Sequence, residues 1–261
     1  MSLTKLLTRL EAGVLTLTLD GEARRNALND EVMAAFDANL DRAEQEPSIR
    51  AVVLAAVGTS FCAGVDVSQL RSVTRTSPDD NLRHAMRMAS GMNRLATLNK
   101  PTIAAVHGSA WGGGVGLVAA CDIAIAAEPA RFILSEVRLG LLPGLVAPMM
   151  AAAIGTRAAR RLLLTGESID AAEALRLGLL HEVVPAEKLA SAVAEAAQRL
   201  KAGSPATIAA TKRLLGDPNL AFPDPSSVRP IAELVMAHRK TADAQEGIAA
   251  FLEKRKPSWA V

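Results

Sequence analysis

Four glycines fall within five residues of the stretch SAWGGGVGLVAACD, at Gly112, Gly113, Gly114 and Gly116. Glycine is costly in an ordered segment because it loses more backbone entropy on folding than any other residue. The apolar run TIAAVHG precedes the cluster and small residues follow it, which is typical of a buried strand that turns into a helix. The cluster therefore predicts a turn at which bare backbone is required.

Composition narrows the classes of protein. The chain has 261 residues, half of them apolar, which suffices for one large core or a core with a smaller appendage. The net charge of +2 argues neither for nor against nucleic acid, whereas the 3% aromatic content argues against a base-stacking platform. Cys62 and Cys121 show no metal-type spacing and no disulfide framework. We therefore expect no bound metal, no nucleic-acid partner and a reducing, cytoplasmic setting.

Residues 103–121 are long enough to span a membrane and carry no formal charge. The glycine cluster would weaken a lone helix there, and the sequence has no second span. The N-terminal residues have Lys5, Arg9 and Glu11 among their apolar positions, which is typical of a strand rather than a signal peptide. We expect no membrane association.

Strands and helices alternate along the first 185 residues. The clearest strands are 14–20 with period two, the apolar run 49–57, and TIAAVHG; the clearest helix runs from Asp30 to Glu46. Single helices are also predicted for 115–120 and 147–164. From Pro185 onward the pattern is helical. The sequence therefore predicts an α/β core over 1–185 and a helical segment over 186–261.

The glycine cluster permits a dinucleotide-binding interpretation, since Gly114, Gly116 and Ala119 satisfy G-x-G-x-x-A between a strand and a helix. The acid expected after the second strand would have to be Glu128 or Glu136, and neither is well placed. No second mononucleotide-binding half is visible. This interpretation is the weakest of three.

A second interpretation is an oxyanion hole, in which bare N–H groups at a helix N-terminus bind a developing negative charge. Such a site needs a second donor, and the turn SFCAGVD after another buried strand offers one. The third interpretation is purely structural, with the glycines permitting close packing of helix on strand. Spacing alone does not separate these two.

Several longer motifs, in order, resemble the crotonase superfamily of enoyl-CoA hydratases and isomerases. They are SFCAGVDV, the stretch from KPTIAAVHG to LSEVRLGLLPG, LTGESIDAAEALRLGLLHEVVP and FLEKRKPSW, and the resemblance extends from about residue 10 to the C-terminus. Within the superfamily, GGGVGLVAACDIAIA and LSEVRLGLLP look nearest to the methylglutaconyl-CoA-type hydratases.

The resemblance implies a spiral of ββα turns, a helical C-terminal trimerisation segment, and a homotrimer or dimer of trimers. It also implies an acyl-CoA substrate and no further cofactor. The two oxyanion donors of the family align with the N–H groups of Val65 and Gly113. The thioester carbonyl would lie between them and become enolate-like in the transition state.

The acids of the family align only in part. The position of the first catalytic glutamate is Gly116, the second aligns with Glu136, and the aspartate of some relatives aligns with Gly144. We expect Gly116 to leave space for a water or a bulkier acyl group. His107, Ser109 and Ser135 are candidate replacements for the missing acid.

One glutamate suffices in principle for water addition to a 2-enoyl-CoA, because the proton that it removes is the proton that it returns. The resemblance favours such a hydratase, and we consider a branched or glutaconyl-type acyl group for its substrate. A Δ3–Δ2-enoyl-CoA isomerase, a non-catalytic CoA-binding protein and an NAD(P)-binding oxidoreductase remain as alternatives.

Further residues align with positions at which the family binds CoA or substrate. They are Arg24, Arg25, Ala63, Gly64, Asp66, Gly116, Pro143, Gly144, Phe251 and Lys254. Asp66 is expected to fix its turn, and the last two to approach the nucleotide from the same or a neighbouring subunit. We also consider that one of Arg71, Arg75, Arg83, Arg87 and Arg138 pairs with a second carboxylate on the acyl group, a solvated helix face being the alternative.

Overall fold

The fold contains two β-sheets, and the computed structural model describes residues 3–66, 77–217 and 228–260. The ten strands described are β1 (Lys5–Glu11), β2 (Val14–Asp20), β3 (Ala51–Ala56), β4 (Ser60–Cys62), β5 (Thr102–Val106), β6 (Ser109–Trp111), β7 (Ile123–Ala127), β8 (Arg131–Ile133), β9 (Ser168–Asp170) and β10 (Glu182–Val184). The first sheet has the order β1-β2-β3-β5-β7-β10 and is parallel apart from the β1–β2 hairpin. The second has the order β4-β6-β8-β9.

The helices described are α1 (Asp30–Gln45), α2 (Pro78–Thr97), α3 (Gly113–Ala120), α4 (Ala147–Thr165), α5 (Ala171–Leu177), α6 (Leu189–Lys201), α7 (Pro205–Gly216), α8 (Val228–His238) and α9 (Ala242–Leu252). Short 3₁₀ turns cover Glu22–Arg24, Glu136–Leu139 and Ala186–Lys188. None of these helices combines the length and the apolar composition that crossing a bilayer requires. The uncharged residues 103–121 instead form β5, β6 and α3.

Three strands of the first sheet each lead directly into a strand of the second. β3 leads to β4, β5 to β6 and β7 to β8, and β4, β6 and β8 are parallel neighbours. Because parallel neighbours end at the same edge, the turns that follow them meet there. This repeat brings together three segments that lie far apart in the sequence: 63–66, 112–116 and 134–136.

The inner strands β3, β5 and β7 of the first sheet are buried on both faces, as their apolar runs predict, whereas the edge strand β1 is largely exposed. One face packs into the main core with Leu15, Leu17 and Leu54. The other face, with Val53, Ile103 and Ile125, is covered by α6. The division at residue 185 stays a prediction, and α6 beyond it packs against the sheet of the core.

Polar contacts attach the C-terminal helices to the core. The Arg50 guanidinium donates to the carbonyls of Lys201, Gly203 and Trp259. The ammonium group of Lys212, on α7, lies 2.5 Å from a carboxylate oxygen of Asp122 at the start of β7.

Two helices depart from the sequence prediction. The helix predicted over 115–120 already begins at Gly113, so the Gly113 N–H belongs to its first turn. The helix predicted over 147–164 is kinked, because Gly155 has φ 74° and ψ 152°. Both departures occur at glycines, whose backbone adopts conformations that periodicity does not report.

Close packing of α3 on β4 gives a test of the fold. A Cβ atom on Gly114 would lie 2.5 Å from the Cys62 carbonyl oxygen, whereas one on Gly216 would have no atom within 4 Å. We predict that Gly114→Ala destabilises the protein by about 1–3 kcal/mol, as overpacking does. Gly216→Ala should leave stability equal or slightly higher. Denaturant unfolding midpoints test this, and equal midpoints for the two variants would contradict the packing described.

Candidate active site

A cleft of about 220 Å³ opens at the edge where the three turns meet. It is lined by residues 63–65, 111–113, 135, 136, 139, 141–143, 145 and 146. Of the predicted site residues, Ala63, Gly64, Val65, Gly113, Glu136 and Pro143 all line it.

Backbone packing sets the positions of the two predicted donors. A Cβ atom on Gly64 would lie 2.8 Å from the Trp111 carbonyl oxygen and 3.1 Å from the Gly113 nitrogen, so the two turns touch through bare backbone. The first turn is fixed by hydrogen bonds from Leu28 N–H to the Gly64 carbonyl and from Asp66 N–H to the Leu28 carbonyl.

The N–H groups of Val65 and Gly113 donate to no acceptor among the described residues. Gly113 is the first residue of α3, where N–H groups have no partner within the helix and the helix dipole favours negative charge. Both groups belong to residues that line the cleft. The arrangement is therefore able to bind an oxyanion.

Glu136 begins the 3₁₀ turn that follows β8, and its carboxylate lies against the glycine turn. A Cβ atom on Gly112 would be 2.6 Å from Oε1, so only glycine leaves room for this carboxylate. Gly112 also has φ 45°, and its N–H donates to the Ile133 carbonyl.

Oε2 of Glu136 is buried and has no hydrogen-bond partner among the described residues. Burial raises the pKa of Glu136 above its usual value, opposed in part by a hydrogen bond from its own backbone. A half-buried carboxylate with a raised pKa and a free oxygen is suited to proton transfer.

The expectation of space beside Gly116 is wrong. Gly116 is buried, and a Cβ atom there would lie 3.1 Å from Met92 Sδ and 3.3 Å from Val146 Cγ2. Gly116 is not part of the lining of the cleft, whereas Val146 is. The position is filled by apolar side chains, so neither a water nor an acyl group has room there.

The two predicted phosphate-binding arginines lie beside the cleft. Arg24 Nη1 forms an ion pair of 2.7 Å with the buried carboxylate of Asp66, which ties the turn Glu22–Arg24 to the turn at 63–66. The Arg25 guanidinium carbon lies 5.9 Å from the centroid of the Trp111 ring, within cation–π range. Neither arginine lines the cleft itself.

Other predicted residues lie away from the cleft. Phe251 is exposed and borders a separate crevice near α7 and α9, and Lys254 follows α9. Gly144 is not part of the lining of the cleft.

Of the candidate replacements for the missing acid, only Ser135 lines the cleft. His107 Nε2 contacts the Gly58 carbonyl oxygen at 2.9 Å, and burial lowers its pKa. Ser109 lies in β6, outside the lining.

Three of the five arginines considered for a second carboxylate have other partners. Arg83 pairs with Asp80 and Arg87 with Asp30, while the Arg138 guanidinium donates to the Thr165 carbonyl. Arg71 and Arg75 lie outside the described residues.

Sequence reasoning missed Trp111, Met92 and the leucines that line the cleft. A tryptophan directly before the glycine run, in a chain with two tryptophans, was an available signal. No sequence signal connects Met92 with Gly116, because their contact arises from the packing of α2 on α3.

The raised pKa of Glu136 has a consequence for stability. A folded-state pKa above the unfolded one stabilises the fold at pH values below the unfolded pKa, and the effect is lost as pH rises through the folded pKa. We predict that Glu136→Gln raises Tm at about pH 8 and that the difference shrinks near pH 4, around the ordinary glutamate pKa of about 4.3. The exposed Glu128→Gln is the control. If Glu136→Gln changed Tm by the same amount at both pH values, burial of the charged carboxylate would not be the cause of the change.

Comparison with known proteins identifies the family of the chain. A family model described as enoyl-CoA hydratase/isomerase matches residues 9–261. The chain is 32% identical to a 2,3-dehydroadipyl-CoA hydratase of Escherichia coli, over 98% of this chain and 99% of that one. It is 31% identical to a short-chain-enoyl-CoA hydratase of Clostridium acetobutylicum, over 98% and 97%.

The crystal structure of an enoyl-CoA hydratase from Shewanella pealeana superimposes with a TM-score of 0.93 at 35% identity, over 97% of this chain and 95% of that one. The predicted α/β crotonase fold and the resemblance to the superfamily are confirmed, whereas nearness to the methylglutaconyl-CoA-type hydratases stays a prediction. The dinucleotide interpretation gains no support. The chain belongs to the enoyl-CoA hydratase/isomerase family and is an enzyme of that family.

Proposed function

We propose that the protein adds water across the C2–C3 double bond of a 2-enoyl-CoA, with Glu136 as its single acid–base residue. The observation that carries the proposal is the half-buried Glu136 carboxylate, whose Oε2 has no partner among the described residues, set against a glycine turn with a free N–H at Gly113. Enoyl-CoA hydratases among the relatives make the reaction class the natural one for this site. The reaction needs no further cofactor.

The N–H groups of Val65 and Gly113 bind the thioester oxygen. When water attacks C3, the electron pair of the double bond moves to C2 and the carbonyl oxygen gains negative charge. The two donors and the positive end of α3 favour this enolate-like state over the neutral thioester. One such donor is worth about 3–4 kcal/mol of transition-state stabilisation.

Glu136 handles both proton transfers. Its carboxylate takes a proton from water as the water oxygen bonds to C3, and the resulting carboxylic acid returns that proton to C2. The product carries a hydroxyl on C3 and a new hydrogen on C2, and the carboxylate is restored. A raised pKa suits both steps, because acid–base catalysis is most efficient when the pKa lies near the working pH.

A Δ3–Δ2-enoyl-CoA isomerase is the second candidate. Glu136 is the one carboxylate among the described residues that line the cleft, and one carboxylate suffices to move a proton between C2 and C4. The two candidates differ in product, since hydration adds a water to the substrate mass and isomerisation does not.

We extend the proposal to the oligomeric state of the protein and to its location in the cell. A homotrimer or dimer of trimers in the cytoplasm would allow Phe251 and Lys254, which lie away from the cleft of their own chain, to approach the nucleotide of a neighbouring subunit. Sedimentation velocity on the purified protein measures the oligomeric state.

Glu136→Gln should abolish most of the activity. The amide keeps the shape of the side chain but cannot accept and return the proton, so we predict a fall in kcat of about 10²–10⁴-fold. Loss of enone absorbance measures turnover, and mass spectrometry separates the hydroxyacyl product from an isomer. Glu128→Gln, on an exposed glutamate, should retain full activity. Equal activity of the two variants would reject the assignment of Glu136.

Gly113 permits a test of the backbone donor. Proline is tolerated at the first position of a helix and lacks the N–H, so Gly113→Pro removes the donor. We predict a loss of about 10²–10³-fold in kcat. Gly113→Ala keeps the N–H and places its Cβ 3.3 Å from the flexible tip of Met92, so its loss should be far smaller. Circular dichroism and unfolding midpoints confirm folding, and equal losses in both folded variants would count against the oxyanion role.

A further inference from the structure

Two consecutive arginines beside the cleft use their guanidinium groups differently. Arg24 is committed to the turn at 63–66 through its ion pair with the buried Asp66 carboxylate. Arg25 is exposed, no carboxylate among the described residues pairs with it, and its guanidinium carbon lies 5.9 Å from the centroid of the Trp111 ring. A guanidinium held against an aromatic ring by its charge keeps its N–H groups for other acceptors. Of the two arginines, Arg25 is therefore the one available to an anion.

The backbone of Arg25 is fixed in a conformation that residues other than glycine rarely adopt. Arg25 has φ 51° and Asn26 has φ 56°, both in the left-handed region. The buried Asn26 amide donates to the carbonyls of Val57 and Ser60, which holds this turn in place. The N–H of Ala63, in the wall of the cleft, donates to the Arg25 carbonyl. Backbone strain that surrounding contacts maintain is frequent at ligand-binding segments, and here it gives the Arg25 side chain a rigid base.

Trp111 connects Arg25 with the cleft. It lines the cleft directly before the glycine turn, whereas Arg25 does not line it. In an acyl-CoA the pantetheine arm separates the thioester, proposed above to lie at Val65 and Gly113, from the phosphate groups. The phosphates therefore lie away from the thioester site, where an exposed guanidinium is a suitable partner, since arginine binds phosphate oxygens through two parallel N–H groups.

We propose that Trp111 is a positioning residue for the substrate: its ring holds the Arg25 guanidinium beside the cleft, and that guanidinium binds a phosphate group of the CoA moiety. The inference rests on the proposed function, because it takes an acyl-CoA as the ligand. It gives different tasks to the two arginines that the sequence predicted alike, since Arg24 holds the turn and Arg25 holds the ligand.

Calorimetric Kd values for coenzyme A test the proposal without turnover. Arg25→Gln should raise Kd about tenfold, the lower end for a hydrogen bond to a charged group. Arg160→Gln, at an exposed arginine outside the cleft lining, should leave Kd unchanged. 3′-Dephospho-coenzyme A identifies the phosphate: a loss that it shares places the guanidinium at the pyrophosphate, and a loss that it escapes places it at the 3′-phosphate. Equal Kd values for the two variants would overturn the proposal.

Trp111 needs a readout that separates positioning from packing. Trp111→Leu should raise Kd about two- to fivefold, as loss of an exposed cation–π contact does, and Trp111→Phe, which keeps an aromatic face, should raise it less. Added to Arg25→Gln, Trp111→Leu should cause no further loss, because it acts through the guanidinium. Thermal unfolding of each variant shows whether it is folded. Additive losses in folded variants would overturn the positioning role.

Kinetics with 2-butenoyl-CoA and with the matching pantetheine thioester separate this inference from the proposed function. Absence of turnover with both would reject the hydratase, while the Kd values for coenzyme A still decide the inference. With turnover, Arg25→Gln should lower kcat/KM for the CoA ester through a higher KM, and leave kcat/KM for the pantetheine thioester unchanged, because that substrate has no phosphate. An equal loss for both thioesters would overturn the proposal.

Discussion

Backbone contact between the turn after β4 and the turn after β6 is the constraint on which the site depends. Side chains at Gly64 or Gly114 would meet backbone atoms of the neighbouring turn at 2.5–2.8 Å, so the parallel strands can end this close together only because these positions are bare. The same contact leaves the Val65 and Gly113 N–H groups at one cleft. The position of the cleft follows from the topology of the sheet, because the turns that follow adjacent parallel strands lie at the same edge.

Glu136 illustrates how such a site retains an unfavourable group. A half-buried carboxylate with an unpartnered oxygen costs stability, and its raised pKa reports that cost. The rigid turn at Gly112, held by the Ile133 carbonyl, keeps the carboxylate in place. If Glu136 is the proton acceptor proposed above, the stability lost at neutral pH is a trade-off of the kind common at functional sites.

The sequence predicted most of the elements because buried strands and capped helices leave strong local patterns, as in β2, β3 and α1. It also indicated Glu136 and the glycine turn, through motif order. The sequence did not predict that Met92 packs against Gly116, since that contact joins two different helices. The contact of Arg25 with the Trp111 ring and the lining of the cleft by Leu139, Leu141 and Leu142 were equally hidden, because they depend on how the turns meet at the sheet edge.

The apolar surroundings of Gly116 bear on the mechanism as a whole. A Cβ atom at that position would meet Met92 and Val146, so a larger residue there would have to displace apolar side chains. Glu136 is the one ionisable side chain among the described residues that line the cleft. Under the proposed mechanism, Glu136 therefore both takes the proton from water and returns it to C2. A single group that acts from one side of a bound thioester adds hydroxyl and hydrogen to the same face of the double bond, so the proposed mechanism requires syn addition.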